Sequence, residues 1–74
     1  MITTGDDNVA LGYQAGNVLT TGNNNVIIGS DSDPSALDGT NQIVIGYGTT
    51  GKGNNTVTIG DGDITNWIPT VYYT

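Results

Sequence analysis

The residues in this chain that could do chemistry are few, and nearly all are aspartates. The 74-residue sequence has no His, Cys or Glu, a single cationic side chain in Lys52, and a formal net charge of -6. General bases and nucleophile partners therefore reduce to Asp, and the chain is read as not an enzyme. A left-handed β-helix acyltransferase is the nearest enzymatic solenoid, but it carries a six-residue aliphatic rhythm and typically works through a histidine, and both are missing here. Two stretches, Asp31-Ser32-Asp33 and Asp61-Gly62-Asp63, offer the hard oxygen ligands that Ca²⁺ takes. Neither has the EF-hand spacing, and the nine-residue Ca²⁺ solenoid repeat is absent. Aspartates in solvated turns account for both stretches, and spacing alone leaves open whether Asp31/Asp33 or Asp61/Asp63 hold a cation. No catalytic, cofactor-binding or metal residue is assigned, and no cofactor is expected. Asn54-Asn55-Thr56 satisfies the N-glycosylation sequon, which has meaning only for a secreted chain.

Composition closes off other classes. Nucleic acid and anionic membrane surfaces need clustered positive charge, and one lysine does not supply it. No apolar run approaches the roughly 20 residues that span a bilayer. Met1 to Asp7 has neither the positive n-region nor the apolar h-region of a signal peptide. The chain is expected to be assembled in the cytoplasm or to be a piece of a longer protein. Without cysteine, neither disulfides nor thiolate-bound zinc can brace so small a core.

The elements that would have to position any site come from an internal repeat. The pattern is Gly, three polar residues, Val or Ile, any residue, Ile or Leu, then Gly. It occurs as Gly5-Asp6-Asp7-Asn8-Val9-Ala10-Leu11-Gly12, Gly22-Asn23-Asn24-Asn25-Val26-Ile27-Ile28-Gly29, Gly39-Thr40-Asn41-Gln42-Ile43-Val44-Ile45-Gly46 and Gly53-Asn54-Asn55-Thr56-Val57-Thr58-Ile59-Gly60. The closing glycines lie 17, 17 and 14 residues apart, and Thr3-Thr4 and Thr20-Thr21 lead into the first two units alike. A three-residue apolar run is too short for a helix, and its alternation suits a short strand. One such strand per turn of chain predicts an all-β parallel β-solenoid of four coils. Tyr13 to Val18, Ser35-Ala36-Leu37 and Tyr47 to Thr50 are candidates for a second strand in each coil.

Stacking the coils at about 4.8 Å lines the polar triplets up in columns. Asp6, Asn23, Thr40 and Asn54 form the first, Asp7, Asn24, Asn41 and Asn55 the second, and Asn8, Asn25, Gln42 and Thr56 the third. Asn and Gly tolerate the left-handed backbone of a tight corner, and stacked amides can hydrogen-bond up a column. The uniform aliphatics Val9, Leu11, Val26, Ile28, Ile43, Ile45, Val57 and Ile59 are expected to fill the interior. Ile27 and Val44, on the opposite side of the strand, are then expected to face another copy of the chain, since no helix is available to cover them. A charge at Ile28 or Ile45 should unfold such a protein, Asp31→Ala should be nearly silent, and the loop from Asp31 to Ala36 should accept length changes.

These repeats resemble the Asn-Ser-Val-Ala-Ile-Gly units of trimeric autotransporter adhesin heads, the YadA-like head, which also occur in bacteriophage tail fibres. Gly12-Tyr13-Gln14-Ala15-Gly16 is closer to the phage version. The resemblance covers residues 5–63 and implies a left-handed β-roll assembled as a homotrimer. The sequence departs from the family at the usual Ser, replaced by Asn8, Asn25, Gln42 and Thr56, at the middle Ala, kept only at Ala10, and in its two 17-residue repeats where 14 is typical. No binding residue carries over.

On this basis residues 1–63 form the β-roll repeats. Residues 64–74, with the only Trp and two of the four Tyr, form a C-terminal cap or a connection to a following segment. The expected function is a structural segment of a trimeric surface or tail fibre, a rigid spacer and attachment module of a bacteriophage. It would sit in the virion tail fibre, with itself as partner and a cell-surface glycan or protein as receptor. One alternative is an excised head segment of a bacterial adhesin at the cell surface. The other is an ice-binding β-solenoid, suggested by the threonine pairs Thr3-Thr4, Thr20-Thr21 and Thr49-Thr50.

Overall fold

Three-residue strands dictate the architecture. The computed structural model describes residues 6–71. Its strands are β1 (Val9–Leu11), β2 (Val26–Ile28), β3 (Ile43–Ile45) and β4 (Val57–Ile59). They form one parallel sheet in the order β1-β2-β3-β4, and no helix occurs among the described residues. The register follows the repeat: Val9 pairs with Val26, Val26 with Ile43, and Ile43 with Val57. The course is therefore solenoid-like, with one strand per repeat and each crossover returning the chain to the start of the next strand. Among the described residues no helix is long and apolar enough to cross a membrane. The lead-in Thr3-Thr4, the opening Gly5 and the terminal Tyr72-Tyr73-Thr74 lie outside the described residues.

Each strand is short because a forced backbone conformation bounds it at both ends. Before the strand, Asp7, Asn24, Asn41 and Asn55 have φ of 58, 61, 54 and 62°, the left-handed conformation that Asn and Asp tolerate best among residues with a side chain. After it, Gly12, Gly29, Gly46 and Gly60 have φ of 127, 124, 146 and 89°. A Cβ on Gly29 would also strike the backbone of Gly46 in the next coil, so glycine is required there for φ and for space. A second left-handed corner at Gln14, Asp31 and Gly48, with φ of 58, 59 and 60°, turns the chain back across the roll.

The return path is not a second sheet. Tyr13 to Val18 is a run of turns, Ser35-Ala36-Leu37 is bend and turn, and among the described residues the return path has one β-bridge, the parallel bridge from Asp33 to Thr50. Strand formation stops because the corners leave too few extended residues for a ladder.

The two faces of the strands are reversed relative to the sequence expectation. Ile27 and Val44 are fully buried and form the core cluster with Ala15, while Leu19 is buried beside the coil-1 return path. Val9, Leu11, Val57 and Ile59 are exposed, and Val26, Ile28, Ile43 and Ile45 are half-buried. Ile27 and Val44 therefore face the interior, not another chain, and the eight uniform aliphatics point outward. The interior is too narrow for two large columns, since polar side chains occupy much of it. Asn25, Ser32, Gln42 and Thr49 are all buried.

Candidate assembly interface

The outward face is positioned by the polar triplets, whose three members do three different jobs. The first column binds main chain to side chain between coils: Asp6 N–H donates to Asn23 Oδ1 and Thr40 N–H to Asn54 Oδ1, each at 2.8 Å. The second column supplies the left-handed corner and is exposed, with the Asn41 amide donating to Asn55 Oδ1 at 2.9 Å.

The third column turns inward and forms an amide ladder. Asn25 donates to Asn8 Oδ1 through both its backbone N–H and its side-chain amide, each at 3.0 Å. The same amide donates to the Gly39 carbonyl at 2.8 Å, and Asn25 Oδ1 accepts the Gln42 N–H at 2.9 Å. Gln42 extends the network, donating to Ser35 Oγ at 2.9 Å and Asn54 Oδ1 at 3.1 Å while its Oε1 accepts the Ser35 N–H at 3.0 Å. The ladder stops at Thr56, whose hydroxyl donates instead to the Gly53 carbonyl. Buried amides satisfied this fully fix the register of every coil, because a slip would strand polar groups in the core.

A fixed register produces two straight outward columns, Val9-Val26-Ile43-Val57 and Leu11-Ile28-Ile45-Ile59, four rungs deep. No polar side chain interrupts them. A contiguous, purely aliphatic sheet face is unusual on a monomer, which makes this face the candidate interaction surface. At its C-terminal end Val57, Ile59 and Trp67 line an open cavity of about 280 Å³.

Other expected features fall elsewhere. Asp31 is exposed at its corner, and Asp33 Oδ1 faces the Val18 N–H at 3.4 Å. Asp61 Oδ1 accepts the Asp63 N–H at 2.9 Å, closing a local turn. Among the described residues no three acidic groups converge on a point that could hold a metal ion. Thr20-Thr21 stacks over Leu37-Asp38, whereas Thr50 stacks on Asp33, so the described threonine pairs lie in different columns and make no common array. The tail from Gly62 to Val71 is exposed throughout. Sequence reasoning missed Leu19, whose burial depends on the extra length of its coil, and Thr49, whose inward position shows only once Ala15, Ser32 and Thr49 are aligned at 17-residue spacing. No protein-family model, curated protein or solved structure matches this chain.

Proposed function

We propose that the chain is a rigid segment of a trimeric fibre, with the outward aliphatic face turned toward its sister chains. The observation that carries this reading is the unbroken pair of four-rung aliphatic columns. A partner that matches such a face at every rung must share its axial rise, and a second copy of the chain laid alongside does so by construction. The apolar residues buried inside one roll are few, and association is the usual remedy for a core of that size. The number three, the left-handed sense of the roll and the placement in a bacteriophage tail fibre come from the resemblance of the repeats. Three parallel copies would also present any receptor-binding surface three times, giving avidity from weak contacts to a cell-surface glycan or protein. Native mass measurement at micromolar concentration is expected to give three chains. A folded monomer under those conditions would overturn the fibre reading.

A further inference from the structure

The C-terminal end of the roll is unfinished on one side. β4 supplies a fourth rung to the sheet, but the return path has only three, represented on its inner side by Ala15, Ser32 and Thr49. Gly60-Asp61-Gly62 echoes Gly46-Tyr47-Gly48, so the sequence starts a fourth return path. The next residue, Asp63, would then occupy the column of Ala15, Ser32 and Thr49. A carboxylate is costly at a buried position without a paired charge. The chain turns out of the roll there, with Ile64 N–H donating to the Asp61 carbonyl at 3.3 Å.

What remains is a cleft of about 420 Å³ lined by Thr49, Thr50, Lys52, Thr58, Asp61 and neighbouring glycines. One rung below, the place is filled and its bonding is known. Ser32 Oγ donates to the Gly46 carbonyl at 2.6 Å and accepts the Thr49 N–H at 3.3 Å. Thr49 is the equivalent residue at the open rung. It is only 2% exposed, and its hydroxyl has no hydrogen-bond partner. The backbone is open as well. Asp33 N–H donates to the Thr49 carbonyl at 2.9 Å and Gly51 N–H to the Asp33 carbonyl at 2.8 Å, so in a parallel bridge the N–H and C=O of Thr50 itself point to the vacant side. An unfilled hydroxyl beside an open strand edge matches a polypeptide backbone, as in recognition by strand addition.

We infer that this cleft receives the C-terminal tail of a neighbouring copy as an added strand. The tail is the complementary unsatisfied element at the same end of the molecule. Ile64, Trp67, Ile68 and Val71 are 57–76% exposed, and no strand pairs with them. From Asp63 to Val71 an extended chain reaches about 26 Å, comparable to the 25 Å second principal extent of the whole chain. Pro69 lacks an N–H, so the paired run is Ile64 to Ile68. In a cyclic assembly each cleft takes one tail, and the open edge disappears from every chain.

The inference rests on side-by-side assembly, and the test separates the two. The chain has no cysteine, so a Thr50→Cys, Asn66→Cys double variant reports proximity cleanly. Native mass is measured first, then mild oxidation and a non-reducing gel. The expected result is a trimer with interchain disulfides in the double variant and in neither single variant. A trimer with free thiols or only intrachain disulfides overturns the strand exchange and leaves the fibre reading standing, whereas a monomer overturns both. The sign of one further measurement decides independently. If a backbone N–H from the tail fills the Thr49 hydroxyl, Thr49→Val lowers the melting temperature of the 74-residue chain, by roughly 4–8 °C. If the hydroxyl stays unpartnered, the same substitution removes a buried unsatisfied group. The melting temperature then rises or stays level, and the proposal fails.

Discussion

The two sides of the same three-residue strands differ in a way that runs against first intuition. The inward column, Ala10, Ile27, Val44 and Thr58, changes side chain at every rung and turns polar at the last, while the outward columns are aliphatic at every rung. Uniformity would ordinarily be taken as the mark of a core. Here each coil fills its interior with a different set of companions. Leu19 and Ala15 serve the first coil, the Gln42-Ser35 network the second, and Thr49 the third. The inward strand residue can therefore vary to fit. The uniformity of the outward columns is what the proposed repeating partner surface would demand.

The comparison breaks most decisively by placing a charge on each side of β3. Val44→Asp puts a carboxylate at a fully buried position, at a cost on the order of 4 kcal/mol or more. The expected outcome is loss of the cooperative unfolding transition and of strand signal in far-UV circular dichroism. Ile45→Asp, one residue on, is half-buried on the outward face. It is expected to keep the strand signal and lose the oligomer, as sedimentation would show. If Ile45→Asp unfolds a protein that is already monomeric, the outward face is core after all.

Much of the fold was legible in the repeat itself. The four strands, their parallel order and the left-handed corners at Asn24, Asn41 and Asn55 follow from spacing and from what Asn and Gly backbones allow. Amide stacking between coils was legible too, since Asn8, Asn25 and Gln42 hold one place in every unit, but that this column turns inward was not. Which face is inside was not. Alternation separates two faces without saying which is enclosed, and both faces of β2 and β3 are aliphatic. Nor was the vacancy above Thr49 legible, because it depends on where the chain leaves the roll and not on any local pattern.

The variable interior is sharpened by coil length. The sequence suggests that the loop from Asp31 to Ala36 is free to change length, yet the two longer coils pack on each other. The Leu37 carbonyl accepts the N–H groups of Thr20 at 2.9 Å and Thr21 at 3.2 Å, and Leu19 is fully buried. Deleting Ser35-Ala36-Leu37 removes those acceptors and the Ser35 bonds to Gln42. The expected loss is roughly 3 kcal/mol from the hydrogen bonds and partial uncovering of Leu19, read from denaturant unfolding. Deleting Val18-Leu19-Thr20 together with Ser35-Ala36-Leu37 gives both coils 14-residue spacing and is expected to cost less than the single deletion. The two sites share one packing unit and cannot behave additively. Equal or greater loss in the paired deletion would mean that the coils are not interchangeable in length.

The smallest effect tests a third kind of column, uniform in backbone and not in chemistry. Gln14, Asp31 and Gly48 share no side-chain property, yet their φ values agree within two degrees, at 58, 59 and 60°. The shared cause is the corner, which any residue must enter in the left-handed conformation. Asp31 is exposed, so a reading from burial alone makes Asp31→Ala silent. The backbone says otherwise. A left-handed conformation costs a Cβ-bearing residue roughly 1–2 kcal/mol, and Asp relieves part of that through local hydrogen bonding that Ala lacks. Asp31→Ala is therefore expected to lower stability by about 1 kcal/mol. Asp31→Gly should be neutral or slightly stabilising, because relief of strain offsets the added freedom of the unfolded chain. Thermal melts of the two variants should differ by several degrees in that order. Coincident melts would show that the corner does not hold residue 31 left-handed and that its loop relaxes at no cost.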